Sequence, residues 1–230
     1  MLKGMGKALQ DVIGGGKEAE LAAPGSSALL NSHRRRILEY LCLRPFSTSG
    51  RIATDLNLSP SSVLWHLRSL LTDGYVLHRR EERLYYPKDF VDISDAGMFV
   101  VLHAPRRRDV LRSIMEAPGV TQVEIADDLK ISRQTAAKIA TELVDLALVT
   151  RMQDGRFMRC YTTDLLRERQ DSQRARSRAY VESLLRRLEE GGQAPQVLRR
   201  TETELQLKIG RGKGRGVLSI PLDPYGALAV

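Results

Sequence analysis

The feature that most constrains this chain is that it repeats itself. Sliding the sequence against itself by 73 positions superimposes residues 34–83 on 107–156 without a gap, and about 13 of the 50 pairs are identical. The matches are structural in type: Leu38 with Leu111, Pro45 with Pro118, Ile52 and Ala53 with Ile125 and Ala126, Ser59 with Ser132, Leu70 with Leu143, Val76 with Val149. One supersecondary unit is therefore built twice, so 230 residues must be divided into small units rather than spent on one large core.

Each unit parses in the same way. An apolar-periodic helix over 34–43 (Ile37, Leu38, Leu41) or 107–117 (Val110, Leu111, Ile114) stops at Pro45 or Pro118. A short second helix follows, with Ile52, Ala53 and Leu56, or Ile125, Ala126 and Leu129, on its inner face. After a tight turn, Ser59 and Ser132 stand where an N-cap belongs, and Pro60 occupies the first helical position of the first unit. The third helix buries Val63, Leu67, Leu70 and Leu71 in one unit and Ala136, Ile139, Ala140, Leu143 and Val144 in the other. It ends near Gly74 or Ala147, and two runs of strand character follow, with Arg80, Glu81 and Glu82, or Gln153, Asp154 and Gly155, as hairpin tips.

Three helices and a hairpin make a winged helix-turn-helix. The first unit, with RRILEYL at 35–41, Ile52 and Ala53, SSVLWHLRSLL at 61–71 and GYV at 74–76, resembles the ArsR/MarR-type winged-helix regulators. The resemblance covers residues 30–162, and the tandem arrangement is similar to archaeal regulators with two such domains. It implies a mainly α fold with small β-wings (α+β). The expected division is a flexible segment at 1–28, a winged helix at 29–90, a linker at 91–105 and a second winged helix at 106–162. A long helix follows at 163–192, its apolar positions suited to homodimer formation through residues 163–190. The extension at 193–230 reads as a β-hairpin, because Leu205, Leu207 and Ile209, then Leu218, Ile220 and Leu222, alternate on either side of a Gly/Lys/Arg loop at 210–216.

Lys and Arg number 36 against 28 Asp and Glu, a balance of +8 that concentrates polyanions near the chain without naming one. Aromatic residues make up only 5%, which argues against a single-strand groove built from stacked rings. Cys42 and Cys160 are too few for a disulfide framework or a four-cysteine zinc site, so a cytoplasmic setting is expected. No apolar stretch is long enough to span a bilayer, so stable membrane insertion is not expected; a short apolar face over residues 1–13 leaves only peripheral attachment as a remote alternative.

In a helix-turn-helix the third helix enters the major groove, so its outward residues near the N-terminus decide what is read. In the second unit these are Arg133, Gln134, Thr135 and Lys138, of which Arg suits guanine, Gln adenine, Thr a thymine methyl and Lys a phosphate. The first unit offers Ser61, Ser62, Trp65 and Arg68, a weaker base-reading set. The wings add His78, Arg79, Arg80 and Arg83, and Arg151, Gln153 and Arg156, for phosphates or the minor groove. Arginine triplets at 34–36 and 106–108 either clamp phosphates or are solvated.

The four histidines and two cysteines show no metal-ligand spacing, so no metal site is expected; His66 and Cys42 read as structural. No catalytic arrangement and no cofactor motif is legible, the glycine-rich loop lacking the spacing of a P-loop. The reading that results is a sequence-selective regulator binding double-stranded DNA, with no effector identifiable. The competing readings are a tandem winged-helix interaction subunit of a transcription-initiation or chromosome-organising complex, and an RNA-binding module.

Overall fold

A computed structural model of the chain describes residues 28–210 and 215–229. The expected flexible segment therefore lies outside the described residues, except for Ala28, which opens a short buried turn with Leu29 and Leu30.

The first unit runs α1 (Ser32–Leu43), β1 (Ser47–Thr48), α2 (Ser49–Leu56), α3 (Pro60–Thr72), β2 (Val76–Arg79) and β3 (Leu84–Pro87). The second repeats it as α5 (Pro105–Glu116), β4 (Val120–Thr121), α6 (Gln122–Asp128), α7 (Arg133–Asp145), β5 (Val149–Asp154) and β6 (Phe157–Thr162). The helix starts are set by side chains that satisfy free backbone N–H groups. Ser59 Oγ accepts from the Ser62 amide at 3.2 Å and Ser132 Oγ from the Thr135 amide at 3.1 Å. At α6, Thr121 and Glu124 cap each other reciprocally.

The backbone keeps the repeat even where the residues have changed. Three left-handed positions recur 73 residues apart: Phe46 (φ 59°) with Gly119 (φ 90°), Asn57 (52°) with Lys130 (50°), and Gly74 (70°) with Ala147 (56°). At Gly119 a Cβ would meet the Tyr161 hydroxyl at 3.0 Å, which fixes glycine there. Each wing also contains a strand that periodicity does not reveal. The two-residue strands β1 and β4 pair antiparallel with β3 and β6, giving sheet orders β1-β3-β2 and β4-β6-β5.

Three expectations need correction. The supposed linker at 91–105 is folded: it contains α4 (Ala96–Leu102), and Phe99 at its centre is fully buried, 5.8 Å from the Phe46 ring and 4.9 Å from Tyr225. The apolar residues Met98, Phe99 and Leu102 thus join both units into one continuous core. The C-terminal extension is a three-stranded sheet, β7 (Gln196–Arg200), β8 (Glu204–Ile209) and β9 (Gly216–Pro221), followed by α9 (Gly226–Ala229). The alternating residues of β8 and β9 are buried as expected; β7 was missed because all five of its residues are exposed. Positions 211–214 of the glycine-rich loop lie outside the described residues.

The third correction concerns α8 (Leu165–Glu190). Its inner stripe, Gln173, Ser177, Tyr180, Val181, Leu184 and Leu188, is already buried within the chain. Tyr180 packs on Phe90, with ring centroids 4.8 Å apart, and its hydroxyl lies 3.8 Å from Cys42 Sγ. Gln173 Nε2 donates to the Phe90 carbonyl and to Ser177 Oγ, each at 2.9 Å, and Ser177 Oγ donates to the Leu222 carbonyl at 2.7 Å. The sheet in turn covers α1, where the Ser219 amide donates to Glu39 Oε1 at 2.7 Å. The face expected to dimerise is therefore spent on internal packing.

One buried group makes the fold acid-sensitive. His103, at the end of α4, is 7% exposed; burial, then the charges of Arg44, Arg51 and Arg108, push it down from 6.5 to about 4. Protonation thus favours the unfolded chain: the stabilisation is complete above the ordinary value and is lost as pH falls towards 4. Urea denaturation should show a loss of about 3 kcal/mol between neutral pH and pH 4 that is markedly smaller in His103→Gln. An unchanged pH slope in that variant would show that His103 is not the group responsible.

Candidate nucleic-acid interface

Equivalent positions in the two units carry different chemistry on the same scaffold. In α7, Arg133, Gln134 and Lys138 are exposed, and among the described residues none has a hydrogen-bond or ion-pair partner. Gln134 and Lys138 are one turn apart, and exposed Thr141 continues the same face at i+7 from Gln134. The Thr141 hydroxyl, however, donates to the Ala137 carbonyl at 2.9 Å. Thr135 is less available, because its hydroxyl lies 2.8 Å from Ser132 Oγ at the cap.

In α3 the matching face is different. Ser61 bonds Ser59 side chain to side chain at 3.2 Å, Ser62 is half-buried at the cap, and Arg68 is exposed without a side-chain partner among the described residues. Between them Leu64 and Trp65 stand 49% and 51% exposed, so the first unit offers an apolar patch where the second offers Lys138. The Arg34 guanidinium lies over the Trp65 ring, 5.0 Å from its centroid, a contact that sequence spacing did not reveal.

This contact also decides the role of the arginine triplets. Arg35 donates to the Leu29 and Leu30 carbonyls at 2.9 and 2.8 Å, and Arg36 to the Leu56 carbonyl at 3.1 Å. In the second unit Arg107, the counterpart of Arg34, forms a two-pronged pair with Glu142 on α7 at 2.6 and 3.2 Å. Arg34 and its counterpart Arg107 thus each hold the third helix, by stacking in one unit and by ion pairing in the other. Exposed Arg106 and half-buried Arg108 make no side-chain hydrogen bond or ion pair among the described residues.

The wings differ as well. Arg79 pairs with Glu82 at 2.8 Å, while Arg80 and Arg83 project at the first tip, Arg83 in the left-handed region. His78, expected at the wing surface, stacks on Tyr85 with centroids 4.2 Å apart. Arg151 folds back onto α7, donating to Thr141 Oγ1 at 2.8 Å, so it braces the wing rather than extending from it. Gln153 turns onto the Gly155 carbonyl at 2.6 Å. Arg156 lies over Phe157 at the tip, 4.9 Å from its centroid, next to exposed Met152 and Met158.

Cys42 is fully buried and its thiol is pushed up by burial; Cys160 is likewise buried beside Arg151. His66 is 4% exposed and sits 5.3 Å from the His33 ring. No described helix is long and apolar enough to cross a membrane.

Comparison with known proteins places both units. Residues 30–76 match the winged helix-turn-helix DNA-binding family, and residues 105–156 match the MarR family. An uncharacterized HTH-type transcriptional regulator of Methanocaldococcus jannaschii is 26% identical over 129 residues, 55% of this chain and 32% of that protein. The match therefore spans about a third of the relative's length. Among solved structures, the transcriptional regulator SlyA aligns at 21% identity with a TM-score of 0.27, over 44% of this chain and 81% of SlyA. ScpB from Mycobacterium tuberculosis aligns at 18% identity with a TM-score of 0.25, over 59% of this chain and 93% of ScpB.

The Arg107–Glu142 bridge is partly buried and two-pronged, the geometry in which an ion pair contributes measurably. A double-mutant cycle of Arg107→Ala and Glu142→Ala by urea denaturation should return a coupling of about 1 kcal/mol. A coupling near zero would mean that α7 is held by its apolar stripe alone.

Proposed function

We propose that this chain, a tandem winged helix-turn-helix protein whose second domain is of the MarR type, is a transcriptional regulator that binds double-stranded DNA and reads sequence through α7. The observation that carries this is the outward row Arg133, Gln134 and Lys138, exposed, unpartnered among the described residues and set at the start of a helix whose N-cap fixes its direction. Arg133 offers a fork for guanine and Gln134 a donor–acceptor pair for adenine, while Lys138 is placed for a phosphate. The helix N-terminus adds a positive end that favours the DNA backbone.

The first unit has a different part. Its Leu64–Trp65 patch cannot supply hydrogen bonds to base edges beyond the indole N–H, so the first unit contributes backbone contacts through Arg68 of α3 and Arg80 and Arg83 of the wing, or docks a protein. That patch is the specific support for the alternative, a tandem winged-helix interaction subunit. Self-association through residues 163–190 would have to use the outer face of α8, where Arg167, Glu182 and Arg186 are exposed. Such a contact would be polar and salt-sensitive.

Fluorescence anisotropy on an in vitro selected duplex tests the reading, with random duplex as reference and salt varied. The Arg133→Ala, Gln134→Ala double variant should lose roughly 10- to 100-fold in affinity for the selected duplex while its affinity for random duplex falls much less. Lys138→Ala should weaken both equally and flatten the salt dependence by about one counterion. Equal, weak binding of wild type and double variant to every duplex would remove the reading role and favour protein docking.

A further inference from the structure

A cleft of about 290 Å³ lies between α8 and the β7–β8 edge of the C-terminal sheet, far along the chain from either third helix. Its walls hold three guanidinium groups, Arg174, Arg178 and Arg200, against one carboxylate, Glu202, over an apolar floor of Val181 and Leu222. An annex of about 100 Å³ continues it past Gln170, Gln173 and Asp223.

The positive charge is only loosely compensated. Arg174 stands 3.5 Å from Asp171 and 3.9 Å from Glu202, distances that an incoming anion outcompetes more readily than a direct hydrogen bond. Arg200 is held by Glu182 at 2.9 Å. Arg178 has no ion-pair or hydrogen-bond partner among the described residues. At the annex, Gln173 is 2% exposed and its Oε1 has no partner, although Nε2 is fully engaged. A concave site with guanidinium forks and an apolar floor is the arrangement that takes a small anionic ligand, and the volume sits at the lower end of the roughly 300–1,000 Å³ typical of such sites.

We propose that the cleft between α8 and the C-terminal sheet binds a small organic anion, a carboxylate or phosphate whose head group is held by Arg178 and Arg174 and whose apolar body rests on Val181 and Leu222. The location gives occupancy a consequence. α8 leaves the second wing directly after β6, and the sheet it faces covers α1 of the first unit, so an anion resting on both α8 and Leu222 stiffens a seam that the two units share. Duplex affinity then changes with occupancy, and by linkage duplex binding changes anion affinity by the same factor. This coupling rests on the DNA-reading proposal; the binding itself does not.

The test is calorimetric titration and thermal melting of the full chain with inorganic phosphate, succinate and benzoate at constant ionic strength, without DNA. Wild type, Arg178→Ala and the distant control Arg112→Ala are compared. At least one probe should saturate at one per chain and raise Tm by about 5 °C at a hundredfold excess over Kd. Arg178→Ala should weaken that Kd at least tenfold and Arg112→Ala should leave it unchanged; which probe responds identifies a phosphate or a carboxylate head. No saturable probe, or equal binding by Arg178→Ala and wild type, overturns the site. Unchanged probe binding in Arg178→Ala together with weakened binding in a separate duplex anisotropy titration overturns the site and reassigns these arginines to the DNA backbone.

Discussion

The buried stripe along α8 organises everything that lies outside the two repeats. A 26-residue helix is about 39 Å long, and such a helix, rich in arginine and glutamate, has too little apolar surface to be stable by propensity alone. Its stability comes from what it covers. The aliphatic half, Val181, Leu184 and Leu188, is buried, and Arg187 donates to the Gly74 carbonyl at the turn where α3 ends. The polar half succeeds because Gln173 and Ser177 replace lost hydration with bonds to the Phe90 and Leu222 carbonyls, tying the exit of the first wing to the end of β9. Tyr225 completes the seam by donating to buried Asp95 at 2.7 Å, where Arg169 supplies the opposing charge at 3.2 Å. Loss of the stripe would release the helix, the sheet and the tail together.

On that frame, duplication has been followed by division of labour. The cores of the two units hardly differ, since Leu70 and Leu143, Ile52 and Ile125, and Ala53 and Ala126 occupy equivalent buried places. The outward faces do differ. Pro60, Ser61 and Trp65 in one stand where Arg133, Gln134 and Lys138 stand in the other. The first unit is also the one covered, with the C-terminal sheet on α1 and α8 against its wing side, whereas α7 carries no such layer. A covered unit bearing an apolar patch and an open unit bearing a polar, partner-free row are suited to different tasks.

What the sequence made legible follows from what periodicity encodes. A stripe such as Ala136, Ile139, Ala140 and Leu143 specifies both a helix and its buried side, and the N-cap serines specify where it begins, so the outward candidates followed by elimination. Periodicity fails where a segment is too short or uniformly exposed. β1 and β4 have two residues each, and β7 buries none of its side chains. It also fails where partners are far apart in sequence. Nothing local to residues 91–105 announces that Phe99 will sit between Phe46 and Tyr225, and an arginine triplet looks the same whether it meets phosphates or the carbonyls of residues 29, 30 and 56. Among the apolar positions of 163–190, Tyr180, Leu184 and Leu188 are buried, and no local signal announces that their partner lies in the same chain.

On the proposed reading, α7 specifies bases and α3 does not. In vitro selection of duplexes by the full chain tests it most directly, since the enriched sequences record how many independent blocks of bases each chain specifies. One block per chain is expected, lost when Arg133 and Gln134 are replaced by alanine and retained when Trp65 is replaced. Two blocks of equal information, one of them lost with Trp65→Ala, would show that both third helices read DNA and would contradict the division drawn from their surfaces.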